Sequence, residues 1–427
     1  MWEKLSLVWK LKEVRQKLLT IVGLLIIFRL VAHIPIPGVN IQALNAFFQS
    51  NQVFGLLNVF SGGGFDTFSV VMLGVGPYIT ASIIFQLLTM IIPSLEKLQK
   101  EGERGQEQIN QWTRYLTVPL AIIQAYATIT LIRRSSAAIL PSMTVYQFVT
   151  AILTITAGTL FLMWLGELIS EKKLGNGISL MIFAGIIARV PNQLRQTIAV
   201  FDSTQVLNIV LFAAVGVVTI IAVVFVTEAV RKIPVTYARR IRGAQGNSSG
   251  GAESFLPLRV NQAGVIPIIF AISLILTPTL VAQFFSNASK PWLRTAAGWI
   301  IRTLQQGTVT YDVLYFLMVF IFTYFYTAVV FQPNQVSENI QKQGGFIPGI
   351  RPGKMTADYL NYVTNRIMLA GALFLGVIAL LPNIVQRYTN VTTMIVGGTS
   401  LLIVVSVIIE TVKQVESQLI VRDYDGF

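Results

Sequence analysis

The segment 53–92 places the strongest constraint on the fold of this chain. Its second part, 72–92, has no charged residue, and at about 1.5 Å of helix rise per residue it can cross a hydrocarbon core of roughly 30 Å. Its first part contains Gly62, Gly63 and Gly64, closely followed by Asp66, which interrupt an apolar helix. Irregular backbone at membrane depth is tolerated only where it is buried in protein or lines a watery cavity. The segment therefore predicts a short re-entrant helix followed by a full membrane span.

The composition indicates a polytopic membrane protein. The chain is 54% hydrophobic and 12% charged, whereas soluble domains carry about twice that charged fraction. It has no cysteine, which excludes disulfides and thiolate metal sites. Its single histidine, His33, is predicted to be an interfacial residue at a helix exit. The net charge of +13 predicts anionic partners at one surface, such as lipid headgroups, nucleic acid or an acidic protein.

Ten apolar runs, bounded by charges or turn residues, are long enough to span a bilayer. They lie near 18–35, 72–92, 113–133, 147–168, 177–195, 206–228, 263–284, 310–332, 367–386 and 394–414. An even number of spans places both termini on one side. Most of the 32 Lys and Arg fall in segments on that side, so the positive-inside rule predicts that both termini are cytoplasmic.

Two long cytoplasmic loops are predicted, 231–261 and 333–365. In the second, Arg351 lies between two Pro-Gly pairs that turn and stiffen the backbone. Orientation and attraction to lipid, about 1 kcal/mol per basic residue, are the alternative explanation for any single basic side chain. Neither orientation nor lipid attraction requires a stiffened backbone around the arginine, so Arg351 is predicted to make a docking contact.

The two halves of the chain, 1–195 and 196–427, resemble weak copies of each other. Each has a second span with glycine and proline at its start: Gly74, Gly76 and Pro77 in the first half, Gly264 and Pro267 in the second. With five spans in each half, the copies must have opposite topology, and function is expected between them.

The predicted spans contain few of the ionisable residues that a catalytic or ion-binding site needs. Few ionisable residues occur within the ten spans: Glu167, Glu228 and Glu410 are placed at cytoplasmic ends, and Arg29 in the outer part of the first span. Asp66 is predicted to be a solvated turn or cap. No nucleophile, metal-binding or nucleotide-binding motif is present, so no catalytic residue, metal or cofactor is predicted. A gate fits better than an intramembrane enzyme. A secondary solute transporter built as a five-plus-five inverted repeat is the alternative, although transporters of this kind usually carry charges near the midplane.

Eight motifs, in order, make this chain resemble the SecY family, the central channel subunits of the protein translocon. They lie at 28–37, 56–64, 76–88, 100–103, 175–179, 260–271, 346–356 and 396–405, and include LeuLeuAsnValPheSerGlyGlyGly, GlyAsnGlyIleSer and PheIleProGlyIleArgProGlyLysMetThr. The resemblance implies an all-α protein of ten transmembrane helices, arranged as two inverted five-helix halves around an hourglass pore. Unfolded secretory polypeptides would cross through this pore, and transmembrane segments would leave it sideways.

The resemblance also implies where the pore closes. A ring of aliphatic side chains, here called the pore ring, is expected at Val75, Ile79, Ile178, Ile182, Ile269 and Ile403. The re-entrant helix, about 54–65, corresponds to a plug that includes Phe54, Leu56, Leu57, Asn58, Phe60, Ser61, Gly62, Gly63 and Gly64. Apolar constrictions seal by dewetting, and the glycines are expected to act as the hinge of the plug.

A lateral gate is implied between spans two and three on one side and spans seven and eight on the other, here called the seam. Thr80, Gln86 and Asn261 match its polar positions. Hydrogen bonds between these helices, about 0.6–2 kcal/mol each, are expected to hold the gate shut and to yield when an apolar signal sequence binds.

The resemblance further implies docking of the ribosome and of the motor ATPase SecA at Arg239, Arg240, Arg351 and Lys354. The Gly/Ser-rich segment 243–252 departs from what is expected at that loop tip. Other expected partners are SecE-like and SecG-like small membrane subunits, secretory polypeptides with their signal sequences, and anionic lipids. The expected location is a bacterial plasma membrane, with a thylakoid membrane as the alternative.

Overall fold

The computed structural model describes residues 11–37, 39–40, 43–44, 62–65, 67–134, 144–199, 206–237, 252–286, 290–305, 307–389 and 398–425. Within these ranges the protein is mostly helical, with one small sheet. The first half contains α1 Lys12–Val31, α2 Gly76–Ile91, α3 Pro93–Lys100, α4 Glu103–Arg134, α5 Val145–Glu171 and α6 Gly177–Ala199. The second half contains α7 Val206–Glu228, β1 Val230–Tyr237, β2 Ala252–Arg259, α8 Ile266–Phe285, α9 Pro291–Thr303, α10 Val309–Val330, α11 Pro333–Lys342, β3 Gly345–Phe346, α12 Lys354–Thr389 and α13 Gly398–Asp425.

Ten of these helices overlap the ten predicted spans. Four described segments are by themselves long and apolar enough to cross a membrane: Val145–Glu171, Ile266–Gln283, Val309–Lys342 and Lys354–Val385. A fifth is the pair α2 and α3, which bends by 102° at Ile92. The bend follows from the sequence, since Ile92 is extended and Pro93 begins the new helix.

The second span begins later than predicted. Residues 72–75 form turns, and α2 starts only at Gly76, because Gly74 adopts a left-handed φ of 58° and Pro77 occupies the first helical turn. Proline lacks the N–H that the first turn leaves unbonded, so it is favoured there.

The start of α8 repeats the start of α2. Gly264 also has a left-handed φ, 64°, and the next residue, Val265, is the N-cap with φ −96° and ψ −9°. The corresponding N-cap Val75 has φ −92° and ψ 5°, and both helices have proline in the first turn. This local match supports the expected internal repeat, while the boundary at 195 stays a prediction.

The two long loops form one structure, here called the loop unit, comprising β1, β2, α11, β3 and the start of α12. Strand β1 pairs antiparallel with β2 from Val230↔Arg259 to Tyr237↔Ala252, and with β3 at Thr236↔Phe346 and Tyr237↔Gly345. Beneath this sheet lies an apolar cluster of Ile233, Val235, Leu258, Ile340, Ile347, Leu360 and Val363. The pairing of the two loops was not predicted from the sequence.

Candidate functional site

The structure brings the six predicted pore-ring residues into one apolar cluster. Five of them are buried, with Ile79 the most exposed at 8%, and Ile178 packs against them half-buried. The contributing elements are the start of α2, α6, α8 and α13, so both halves of the chain take part. Ile79 and Ile269 occupy equivalent positions in the repeated helix starts, five residues after Gly74 and Gly264.

This cluster can seal but cannot bind specifically. Aliphatic side chains offer no hydrogen bonds to water or to a passing polypeptide, and a narrow apolar constriction excludes water and ions by dewetting. A polar side chain buried among these residues without a hydrogen-bond partner would be unfavourable. The assignment of these six side chains as a pore lining stays a prediction.

The plug can be followed only at its end, because its predicted residues 54–61 lie outside the described residues. Gly62 has a left-handed φ of 65°, and a Cβ at this position would overlap the ring of Phe28 on α1. From the other side, a Cβ on Gly185 of α6 would come within 2.5 Å of the Gly62 Cα. The end of the plug is therefore held between α1 and α6 by contacts that only glycine permits.

Arg29 ties the same glycine to α1. Its guanidinium Nη1 donates a hydrogen bond to the carbonyl oxygen of Gly62. The backbone oxygen of Arg29 lies 2.7 Å from Nδ1 of His33, which is exposed just after the helix ends, as predicted. This role of Arg29 was not predicted from the sequence. The available signal was a charged residue in an apolar span close to a glycine run.

At the predicted seam, α4 packs against both α2 and α8. The expected hydrogen bonds across the seam are wrong for Thr80 and Gln86, whose described bonds stay within α2. The Thr80 hydroxyl donates to the Gly76 carbonyl over 3.0 Å, and Gln86 Nε2 donates to Ser82 Oγ over 3.4 Å. In an apolar surrounding, a helical threonine satisfies its hydroxyl on the preceding turn.

Two amide oxygens near the seam are buried without a hydrogen-bond partner among the described residues. They are Oε1 of Gln86 and Oδ1 of Asn261, a residue that is only 7% exposed. A buried, unbonded polar atom costs about 1–3 kcal/mol. Two polar atoms are therefore left unsatisfied among the described residues at positions predicted for the gate.

An acidic residue lies buried where few ionisable groups were expected. Asp312, in the first turn of α10, is 8% exposed, and Asn383 on α12 donates a hydrogen bond to its Oδ1 over 2.8 Å. The free N–H groups of a helix start favour a negative charge. Asp312 therefore helps to join α10 to α12, and the described residues contain no group of three His, Asp or Glu side chains that could hold a metal ion.

Ion pairs join the ends of neighbouring spans. Arg114 on α4 lies 2.7 Å from Glu167 on α5, and Lys413 on α13 lies 2.8 Å from Glu228 on α7. Partly exposed pairs of this kind contribute about 0–1 kcal/mol each. They agree with the predicted placement of Glu167 and Glu228 at the ends of their spans.

Arg351 is exposed on a firmly anchored turn of the loop unit. Thr356 Oγ1 donates to the Arg351 carbonyl over 3.0 Å, and the buried Ser337 donates from its hydroxyl to the Gly353 carbonyl over 2.7 Å. Gly353, with a left-handed φ of 93°, lets the turn close. Lys354, also exposed, begins α12. The other two predicted docking residues, Arg239 and Arg240, lie outside the described residues.

Comparison with known proteins gives one consistent result. The family model described as SecY matches residues 69–412. A protein translocase subunit SecY of Streptomyces coelicolor is 44% identical over 98% of each chain. Among solved structures, a SecY channel studied for its plug domain has a TM-score of 0.65 at 18% identity, covering 93% of this chain and 91% of that one. Sec61 in a canine ribosome–channel complex has a TM-score of 0.60 at 16% identity, covering 93% and 90%.

Proposed function

The chain belongs to the SecY family, and on this premise we propose that polypeptides cross the membrane through the pore ring between its two halves. The protein is an integral membrane protein, a protein-conducting channel of the Sec translocon and not an enzyme. Family membership decides against the alternative of a secondary solute transporter. The observation that carries the proposed path is that the six aliphatic side chains, from both halves, all belong to one large apolar cluster and five of them are buried.

In the resting channel, two barriers are proposed to close the pore together. The pore ring excludes water, and the plug blocks the outer side, held at Gly62 by the Arg29 hydrogen bond and by the close approach of Gly185. A translocating chain would displace the plug and part the ring, whose apolar surface closes around any sequence because it makes no specific bonds.

Sideways release is proposed to occur along the seam, where α4 meets α8. The oxygens of Gln86 and Asn261 have no hydrogen-bond partner among the described residues, and the surrounding packing offsets this cost. Parting the helices would expose both oxygens to water, from which they can accept hydrogen bonds. An apolar signal sequence would replace the packing that is lost. Opening then costs less than it would across a fully bonded interface.

The loop unit is proposed to receive the partners that drive transport. The motor ATPase SecA and the translating ribosome would dock at Arg239, Arg240, Arg351 and Lys354. The likeness to a channel solved with a ribosome supports the ribosome as a partner. Small SecE-like and SecG-like subunits are proposed to complete the complex in a bacterial plasma membrane, with both termini in the cytoplasm.

The proposed path is tested by photo-crosslinking. A photoreactive phenylalanine analogue is placed singly at positions 75, 79, 182, 269 and 403, and at position 217 of α7 as a control, since Val217 is 56% exposed. A secretory chain stalled during transport should form adducts at the five ring positions and not at the control. Adducts at the control alone, or equal adducts everywhere, would place the polypeptide elsewhere.

Reversing the charge of Arg351 is expected to slow SecA-driven transport several-fold. The Arg351 side chain is exposed, and the turn is held by hydrogen bonds from the Thr356 and Ser337 hydroxyls to backbone carbonyls, so Arg351→Glu should retain the fold while the docking charge is lost. The measurement is uptake of a preprotein into inverted membrane vesicles.

Lys342→Glu is the matched control. Lys342 is exposed on the same loop unit and forms only a loose pair with Glu338, 3.7 Å away. If both reversals slow uptake equally, the general charge of this surface matters and Arg351 has no special role. Uptake at the normal rate in Arg351→Glu at ordinary salt would also remove this assignment.

A further inference from the structure

Helix α9, in the connection between α8 and α10, carries two large exposed aromatic side chains. Trp292 is 66% exposed and Trp299 is 68% exposed. The helix follows the end of one membrane span at Phe285 and precedes the start of the next at Val309. It therefore lies at the level of a membrane surface, on the side opposite to the loop unit.

Only some of the apolar residues of α9 lie on the inner side of the helix, which packs against the rest of the protein. Ala297 is buried at 3% exposure, and this side packs against α8. The half-buried residues on the same side are Leu293, Ile300, Ile301 and Leu304. The protein core thus uses one face of the helix and leaves both tryptophans outside it.

The tryptophans form a second face, here called the exposed stripe. Trp292, Ala296 and Trp299 follow each other at intervals of four and three residues, which places them in one row along the helix. Exposing a row of large apolar rings to water is unfavourable, because burying each ring would lower the free energy.

A third face is basic. Arg294 and Arg302 are exposed, and Lys290 is exposed directly before the helix. By helical geometry, Arg294 lies nearly opposite to Ala296, while Arg302 lies beside the exposed stripe. Protein, apolar and basic sides on one short helix match the three surroundings found at a bilayer surface: the protein itself, the acyl boundary and the phosphate layer.

We propose that α9 lies in the headgroup region of the outer leaflet, with the exposed stripe inserted at the acyl boundary. Tryptophan prefers this depth because its ring is apolar and its N–H can bond to the headgroup region. Arg302, beside the exposed stripe, then contacts lipid phosphates, and Arg294 faces water, with Lys290 one turn before it on the same side. Since α9 packs against α8, the helix that forms one side of the seam, this contact fixes the outer end of the gate helix to the membrane surface.

The proposal is tested with spin labels, for which the chain is well suited because it has no cysteine. Ala296→Cys and Arg294→Cys are each labelled in the full chain, purified with its complex and placed in nanodiscs of phosphatidylcholine and phosphatidylglycerol. Collision rates with oxygen, which concentrates in lipid, and with a water-soluble nickel chelate are then measured. The oxygen-to-nickel ratio should be several-fold higher at position 296 than at position 294.

Each other outcome overturns the proposal. Similar nickel-dominated ratios at both positions would mean that the exposed stripe faces water. A label at position 296 that is immobile and reached by neither reagent would mean that another protein covers it. Gly298→Cys, one turn beyond Arg294 on the same side of the helix and with open space for its side chain, replaces Arg294→Cys as the reference if that variant does not fold.

Discussion

Replacing Ile403 by asparagine is expected to make the resting channel leak ions and to allow export of proteins with defective signal sequences. Ile403 is 1% exposed and belongs to the apolar cluster that contains the predicted pore ring. A side-chain amide buried there without hydrogen bonds costs about 1–3 kcal/mol. Water entering the constriction would bond to the amide and remove this cost. A shift of this size changes the balance of closed and open states by roughly 5- to 150-fold. The same result is expected for Ile182→Asn, which is equally buried.

The measurements are single-channel conductance in planar bilayers and export of a reporter with a damaged signal sequence. Ile403→Leu is the control, because it keeps an apolar side chain of the same volume and should stay closed. Unchanged conductance and unchanged export in both asparagine variants would argue against the ring as the seal.

The second large effect is expected from Gly185→Ala, through displacement of the plug. The added methyl would lie 2.5 Å from the Cα of Gly62, and a backbone atom cannot move aside as a rotamer would. Within α6 itself alanine is the better residue by about 1 kcal/mol, so the helix is not weakened. We expect a channel of normal thermal stability whose plug no longer seats and whose resting conductance rises.

Gly216→Ala on α7 is the matched control, since its added methyl would meet no atom within 4 Å. It gains the same helix propensity without touching the plug and should conduct like the parent protein. Equal conductance of the two variants would show that the approach of Gly62 to α6 does not govern closure. A loss of thermal stability in Gly185→Ala alone would instead assign Gly185 to folding.

Most of the helices could be predicted because their apolar runs are long and local. The start of the second span was placed too early because hydropathy does not register the left-handed turn at Gly74. Ile79 and Ile269 occupy equivalent places in the repeated Gly-Val-X-Pro starts of their helices, although the family resemblance, not this pattern, selected them. Ile182 and Ile403 carry no such local signal, and only the family resemblance selected them from many similar residues.

What the sequence could not supply depends on distant partners. Strand β3 has only two residues, and it pairs with Tyr237 across more than one hundred positions, so no local pattern indicates it. Hydrogen bonds across the seam were expected from polar side chains alone, but Thr80 found its partner within its own helix. The two tryptophans of α9 were visible in the sequence, and their meaning required knowing which side of that helix packs against α8.

The sheet of the loop unit has a mechanical consequence. Strand β1 begins directly after α7, the hairpin is closed at its base by a hydrogen bond from the Val260 N–H to the Ala229 carbonyl over 2.9 Å, and α8 starts at Ile266. Each long strand has eight residues, so the hairpin is an arm of about 25 Å. A load applied at its far end would therefore be carried through a hydrogen-bonded sheet to the end of α7 and the start of α8, and would not be absorbed by a flexible connection.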